Sequence, residues 1–192
     1  MACGKTFVGK ALQDLGCHLI QADELGHRVL DRGGAAYEDV VREFGTGILD
    51  RDGAINRKLL AAEVFSNPER LALLNGLVHP RVFQLEEELI TGLERDDPAG
   101  IAVIEAAILI ETGSHKKFDR LIVVACDELS QMARALDRDN TGRNDIVARL
   151  NRQIPLSEKQ KFADYVIDTS GSKEDTLRQT REVYDALRSI KR

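Results

Sequence analysis

The chain has 192 residues, 43% apolar and 31% charged, with a net charge of −5. That is enough for one ordinary globular domain with a real core, and the acidic balance weighs against a nucleic-acid or anionic-membrane partner. Three scattered cysteines (Cys3, Cys17, Cys126) with no C-x-x-C pair indicate neither a zinc site nor a disulfide framework and fit a reducing cytoplasm; no apolar run reaches the ~18 residues of a membrane span, and no basic-then-apolar leader opens the chain.

In chain order, Thr6 to Leu15 carries Val8, Leu12 and Leu15 on one helical face, and Gly16 is a natural stop. CHLIQAD reads as a short strand ending at Asp23. Helical stretches follow over 24–31 and 35–44, then an RDG turn at 51–53. Asn56 is placed to cap a helix carrying Leu59, Leu60, Val64 and Phe65. Asn67-Pro68 starts another helix, which His79-Pro80 is expected to break, opening a further one over 80–94. IAVIEAAIL (101–109), RLIVVAC (120–126) and DYVIDTS (164–170) are short apolar runs suited to strands buried on both faces of a parallel sheet. LSQMARALDRD, NDIVARLNRQ, SEKQKFA and 173–190 read as helices. Strands alternating with helices predict an α/β doubly wound fold. The stretch 35–94 is too long for one crossover and reads as an inserted helical subdomain within a single domain spanning 1–192.

The chemistry begins at Gly4-Lys5-Thr6, the tail of the phosphate-binding pattern G-x-x-x-x-G-K-[ST]. In that loop backbone N–H groups face phosphate oxygens, the Lys reaches the β/γ-phosphates and the hydroxyl binds Mg²⁺, while the following helix adds its positive end. A bare G-K-T recurs by chance; here an amphipathic helix follows at once and an α/β pattern lies beyond it. Asp23, at a strand's carboxyl end, is placed either to orient or deprotonate an attacking hydroxyl or to cap the next helix. Arg134, Arg138, Arg143, Arg149 and Arg152 are either cations for a transferring phosphoryl group or a solvated face paired with Asp137, Asp139 and Asp145. Glu105 in an apolar strand needs a partner, with Mg²⁺ and a buried ion pair both open. His79 is a candidate phosphate contact or a structural residue. His18, His27 and His115 show no ligand spacing, and Cys3 lies in the loop with no catalytic role assigned.

Several segments together resemble the dephospho-CoA kinase family, over most of the chain to about Ser172. They are G-K-T followed by LGCHLIQAD, LDRDGAINRKLLAAEVFSNPERLALLNGLVHPRV, EAAILIETGSHKKFDRLIVVAC, QMARALDRD, ARLNRQ and ADYVIDTSGS. The resemblance implies a P-loop kinase fold with a parallel sheet flanked by helices, a helical substrate subdomain at about 35–94 and a helical lid at about 130–160. It implies transfer of the ATP γ-phosphoryl group to the ribose 3′-hydroxyl of dephospho-CoA in the cytoplasm, with ATP and Mg²⁺ and no nucleic-acid or membrane partner; the oligomeric state stays open. By match to the family pattern, Asp23, Lys5 and Arg138 are the implied catalytic residues. Cys3, Gly4, Lys5, Thr6, Phe7, Arg134, Arg138, Arg149, Asp168, Ser170 and Gly171 would hold the nucleotide, with Gln153 a further recurrent lid position. Asp23, Asn56, Arg57, His79 and Pro80 would face the acceptor, and Thr6 and Glu105 the metal.

Gln21 and Ala107 depart from the family's usual Asp and Pro. The family also begins with a strand and a G-G-x-x-x-G-K-[ST] loop, whereas Met1 here falls inside the loop. The expectation is therefore a chain truncated in its phosphate loop, missing a central strand flanked by those around 17–22 and 101–108, and a weak or inactive, poorly stable kinase. Two alternatives stand beside it: another small P-loop nucleoside or metabolite kinase, and a non-catalytic nucleotide- or CoA-binding protein.

Overall fold

A computed structural model describes residues 2–65, 67–139, 146–147 and 153–190. The chain forms two compact units, one of Met1–Leu19 with Gly100–Arg192, the other of Ile20–Ala99.

The first unit carries the strands. Helix α1 (Lys5–Asp14) buries Val8, Gly9, Ala11 and Leu12 on one face. It ends in a Schellman motif: Cys17 N–H reaches Leu12 O at 3.0 Å and Gly16 N–H reaches Gln13 O at 2.9 Å. This closure needs a left-handed residue, which Gly16 supplies with φ 101°. The chain then enters β1 (His18–Gln21), which neighbours β2 (Ala102–Glu105) and starts with His18 N–H on Ile101 O at 2.8 Å. Gly9 lets α1 come close: a Cβ there would meet the Leu19 side chain at 3.2 Å and Glu105 Oε2 at 3.4 Å.

Strands β3 (Ile122–Ala125) and β4 (Tyr165–Asp168) pair in parallel, in register from Ile122 opposite Tyr165 to Ala125 opposite Asp168. Helix α6 (Glu128–Asp139) follows β3, and a short helix α7 (Leu156–Gln160) packs against β3. Helix α8 (Lys173–Arg188) is capped by Ser172 Oγ, which accepts from Asp175 N–H at 3.0 Å. It packs on α1 and β4. Val8, Leu12, Cys17, Ile167 and Val183 form the core between them, where truncating a side chain as enclosed as Leu12 costs roughly 2–5 kcal/mol.

The second unit is helical: α2 (Ala22–Leu30), α3 (Tyr37–Phe44), α4 (Arg57–Phe65) and α5 (Pro68–Asp96). Gly34 marks a close approach, since a Cβ there would lie 2.5 Å from the carbonyl oxygens of Arg28 and Val29. The RDG turn at 51–53 is present, bracketed by an antiparallel bridge between Leu49 and Ile55. Arg70 lays its guanidinium 4.3 Å from the centre of the Phe44 ring and pairs with Glu63. No helix among the described residues is long and apolar enough to cross a membrane.

Three expectations need correction. His79-Pro80 does not break the chain: α5 runs through Pro80 for 29 residues. Proline removes one N–H and crowds the carbonyl four residues back, but packing against α2, α3 and α4 carries the helix through. The run 101–109 forms a strand only to Glu105, and Ile108 beyond it is 40% exposed. The strands around 17–22 and 101–108 do not flank a missing strand, because β1 and β2 are direct neighbours.

Candidate active site

In the first unit the chain approaches α1 through two left-handed residues, Ala2 (φ 58°) and Gly4 (φ 78°), with buried Cys3 between them. Gly4 is the helix N-cap, and α1 has no side-chain cap and no acidic residue in its first turn. Among the described residues its leading N–H groups therefore meet no side-chain cap and can face an anion. Lys5 is half-buried and makes no hydrogen bond or ion pair among the described residues. Phe7 is half-buried in the same turn. Thr6 is exposed, and its hydroxyl donates to Glu105 Oε1 at 2.6 Å. Glu105 is the last residue of β2, not an interior one, so its carboxylate stands at the strand's carboxyl end, where open α/β sheets bind ligands.

A second cluster joins the same loop to the ends of β3 and β4. The Thr169 hydroxyl has one proton to give and lies 3.0 Å from Cys3 O and 3.2 Å from Ala125 O. It accepts from Arg134 Nη1 at 2.9 Å, while Arg134 Nη2 donates to Thr169 O at 2.6 Å. Arg134, on α6, is thus keyed to the phosphate-loop tail through one buried threonine. Asp168 Oδ1 accepts from the Ser170 hydroxyl at 2.6 Å and Ser170 N–H at 2.8 Å, and Ser170 Oγ accepts from Asp127 N–H at 2.9 Å. Asp127 caps α6 through Ser130 N–H, and the Ser130 hydrogen bonds hold its carboxyl below the usual range. Gly171 is exposed beside Asp175. The two sulfurs of Cys3 and Cys126 lie 2.7 Å apart. Burial first, then Cys3, pushes the Cys126 thiol up to about 12, with Arg134 pulling the other way.

Near the base of this unit Lys159 Nζ pairs with Glu111 Oε1 at 2.7 Å, both side chains less than a fifth exposed. Burial raises the Glu111 carboxyl, but Lys159 and the backbone donors outweigh it and its pKa is lowered.

The second unit holds the remaining sequence-predicted residues. Asp23 is exposed in the first turn of α2, two residues past the end of β1, with no hydrogen bond or ion pair among the described residues. It does not cap the helix through its side chain, since the N-cap is Gln21 and no side-chain cap bond forms. Asn56 does cap: its Oδ1 accepts from Lys58 and Leu59 N–H at 3.0 and 3.1 Å, and its Nδ2 donates to Asp50 at 2.7 Å. Arg57 reaches Asp31 at 3.5 Å. Both line an open hollow of about 490 Å³ with Arg32, Asp50 and Lys58. His79 packs against Phe83, ring centroids 6.2 Å apart, and Pro80 is exposed within α5. The Arg138 side chain, Arg143, Arg149 and Arg152 lie outside the described residues, and Gln153 is half-buried.

Gln179, the Glu111–Lys159 pair, and the contacts that Thr169 and Cys126 make are not evident in the sequence. Gln179 holds Asp168 by both its backbone groups, each at 2.9 Å. The available signal was positional: Cys126 and Thr169 each directly follow a strand, at the carboxyl end where sites form.

Comparison with known proteins bears on this arrangement. The family model described as dephospho-CoA kinase matches residues 1–175. The chain is similar to a dephospho-CoA kinase of Aquifex aeolicus, 38% identical over 187 residues that cover 97% of this chain and 93% of that protein. It is also similar to a dephospho-CoA kinase domain-containing protein of Danio rerio, at 35% identity over 97% of this chain and 82% of the other. Among solved structures, a dephospho-CoA kinase from Campylobacter jejuni superposes with a TM-score of 0.73 at 28% identity, covering 97% and 92% of the two chains. A Thermus thermophilus protein superposes with a TM-score of 0.82 at 31% identity, covering 97% and 93%. With G-K-T at the head of α1 and a match of this extent, the chain belongs to the dephospho-CoA kinase family.

Proposed function

We propose that this protein transfers the γ-phosphoryl group of ATP to the ribose 3′-hydroxyl of dephospho-CoA, giving CoA and ADP. The observation that carries the reading is the α1 N-terminus without a side-chain cap, with Lys5 unpaired among the described residues, and the Thr6–Glu105 contact, in a chain matched to this family over residues 1–175.

Phosphoryl transfer asks little covalent chemistry of a protein and much positioning and charge neutralisation. Lys5 and the first N–H groups of α1 receive the β- and γ-phosphates. Arg134, already forked onto Thr169, holds the nucleotide side together with Asp168, Ser170 and Gly171. Arg138 and Arg149 supply cations as charge moves to the leaving oxygen. Asp23, an exposed carboxylate without a competing partner among the described residues, orients the acceptor hydroxyl and takes its proton. Asn56 and Arg57 belong to the acceptor side: the hollow they line carries Arg32, Arg57 and Lys58 against Asp31 and Asp50, a balance suited to a diphosphate. His79 and Pro80 are assigned to the same side by family match.

Thr6 and Glu105 fit Mg²⁺, being hard oxygen donors already 2.6 Å apart. Two protein oxygens leave the remaining positions to water and phosphate, as that ion prefers. No group of three or more His, Cys, Asp or Glu among the described residues competes as a metal site. Thr6 and Glu105 would hold the ion, and bound there it would neutralise phosphate charge; the Thr6 hydroxyl keeps its hydrogen bond to Glu105. A reducing cytoplasmic setting is part of the proposal, supported by composition and by three free thiols.

The test is ADP release with dephospho-CoA, AMP and shikimate in parallel, with phosphorus NMR of the product. The reading expects a clear preference for dephospho-CoA and a new monoester at the ribose 3′ position. Equal or better turnover of AMP or shikimate would replace it with another small-molecule kinase. ATP or dephospho-CoA binding without turnover would replace it with a binding protein.

A further inference from the structure

Cys3 and Cys126 stand 123 residues apart in sequence, yet their sulfurs lie 2.7 Å apart. Each occupies a position that matters to the phosphate site. Cys3 lies between the two left-handed residues before α1, and its carbonyl accepts from Thr169. Cys126 directly follows β3. The third thiol, Cys17, is packed in the apolar core with Val8, Leu12, Ile167 and Val183, with no thiol partner like that of Cys3 among the described residues, so it serves as an internal control. Cys3 and Cys126 are only 4% and 7% exposed. That encloses them against a bulky disulfide reagent and leaves a small oxidant such as hydrogen peroxide as the reagent to test.

We propose that Cys3 and Cys126 are a peroxide-oxidisable pair, whose disulfide ties the phosphate loop to the end of β3 and weakens ATP binding. The chemistry balances in two steps. The Cys3 sulfur attacks one oxygen of hydrogen peroxide and the O–O bond breaks; with the thiol proton this gives Cys3 sulfenic acid and one water. The Cys126 sulfur then attacks the sulfenic sulfur, the S–O bond breaks, and hydroxide leaves as water with the Cys126 proton. Two thiols are oxidised by two electrons and one peroxide is reduced to two waters. The Cys126 thiol donates to the Cys3 sulfur, which assigns Cys3 as the first sulfur oxidised and Cys126 as the resolving partner.

The consequence follows from where the bond forms. The N–H groups that would meet a phosphate belong to residues 4–6, directly after Cys3. A covalent sulfur–sulfur bond is shorter than the 2.7 Å contact, so forming it draws Cys3 toward Cys126 and shifts those N–H groups out of the arrangement held by Thr169. This part rests on the phosphate-loop reading given above.

The experiment uses the full chain, treated with hydrogen peroxide, alkylated and digested with trypsin. The expected product is peptide 1–5 linked to peptide 121–134, with Cys17 recovered as an alkylated thiol and the link reversed by dithiothreitol. Titration with a non-hydrolysable ATP analogue and Mg²⁺ is expected to show about tenfold weaker binding after oxidation, equal to ~1.4 kcal/mol, restored by reduction. Cys17→Ser is expected to behave as the parent; Cys126→Ser and Cys3→Ser are each expected to form no link. Recovery of Cys3 and Cys126 in separate peptides after peroxide, as free thiols or as separate oxyacids, would overturn the pair. A link with unchanged affinity would overturn its effect on ATP. If the reduced protein bound no analogue at all, the phosphate-loop reading would fall, while the linked peptide would still decide the thiol pair.

Discussion

The two units hold their candidate residues in different ways. In the first, side chains far apart in sequence are tied together by hydrogen bonds: Thr6 to Glu105, and Cys3 to Thr169 to Arg134. In the second, the candidates either do local structural work or stand alone. Asn56 caps its own helix, Arg57 reaches Asp31, and Asp23 is exposed without a partner among the described residues. A nucleotide's phosphates need donors fixed in advance, because electrostatic stabilisation is strongest where no reorganisation is required. An acceptor that must enter and leave needs less. Substitutions in the first unit should therefore act on nucleotide use and stability together, unless the residue is a free one. Substitutions in the second should separate the two.

Lys5 is the sharpest case, since its side chain contributes charge but no bond to the fold among the described residues. Lys5→Ala is expected to lower kcat/KM for ATP by roughly 10³-fold or more, with the melting temperature nearly unchanged. A large fall in stability would show that it holds the structure. Glu111 is the reverse case. Glu111→Gln breaks a partly buried ion pair and is expected to cost roughly 2 kcal/mol at neutral pH. Its folded pKa is lowered, so its contribution is full above the ordinary carboxylate range and is lost as pH falls through the depressed value. Thermal melts of parent and variant should therefore converge on acidification; a gap that stays constant would assign the effect to packing alone.

Thr169→Val keeps shape and removes the hydroxyl between Arg134 and Cys3 O. It is expected to cost about 1–2 kcal/mol and to raise KM for ATP several-fold with kcat little changed. The threonine-to-serine variant should restore both; failure of serine to rescue would make the methyl group, 3.6 Å from a Cβ built at Gly4, the part that matters. Asn56→Ala removes a cap worth about 1 kcal/mol, a fall of roughly 2–4 °C in a chain this size. Asn56→Asp or Ser should keep the cap. If the aspartate variant also loses affinity for dephospho-CoA while the serine one does not, charge near the acceptor is the reason.

Element starts were legible in the sequence where backbone geometry dictates residue type. G-K-T before an amphipathic run specified a helix with a free N-terminus, and Asn67-Pro68 specified where α5 begins. The α/β alternation placed β3 and β4 within a few residues and implied the parallel pairing that forms. Legibility ended where tertiary contacts decide. Pro80 looks like a stop, but packing carries α5 through it. Glu105 looks interior, but turning of the chain makes it a strand end. The neighbour relation of β1 and β2 is a long-range choice that local pattern does not encode. The contacts of Thr169 and Cys126 are hidden for the same reason: their partners, Cys3 and Arg134, are distant in sequence, and no spacing rule joins them.

The most direct test of the central claim is single-turnover kinetics of Asp23→Asn beside the parent, with ATP, Mg²⁺ and dephospho-CoA. The account expects CoA formation by the parent, a fall of about 10²–10⁴-fold in the transfer step for the variant, and the same affinity for ATP and the same melting temperature in both. Undiminished transfer by Asp23→Asn, or loss of ATP affinity in step with transfer, would contradict the division between a nucleotide-holding unit and an acceptor-activating carboxylate.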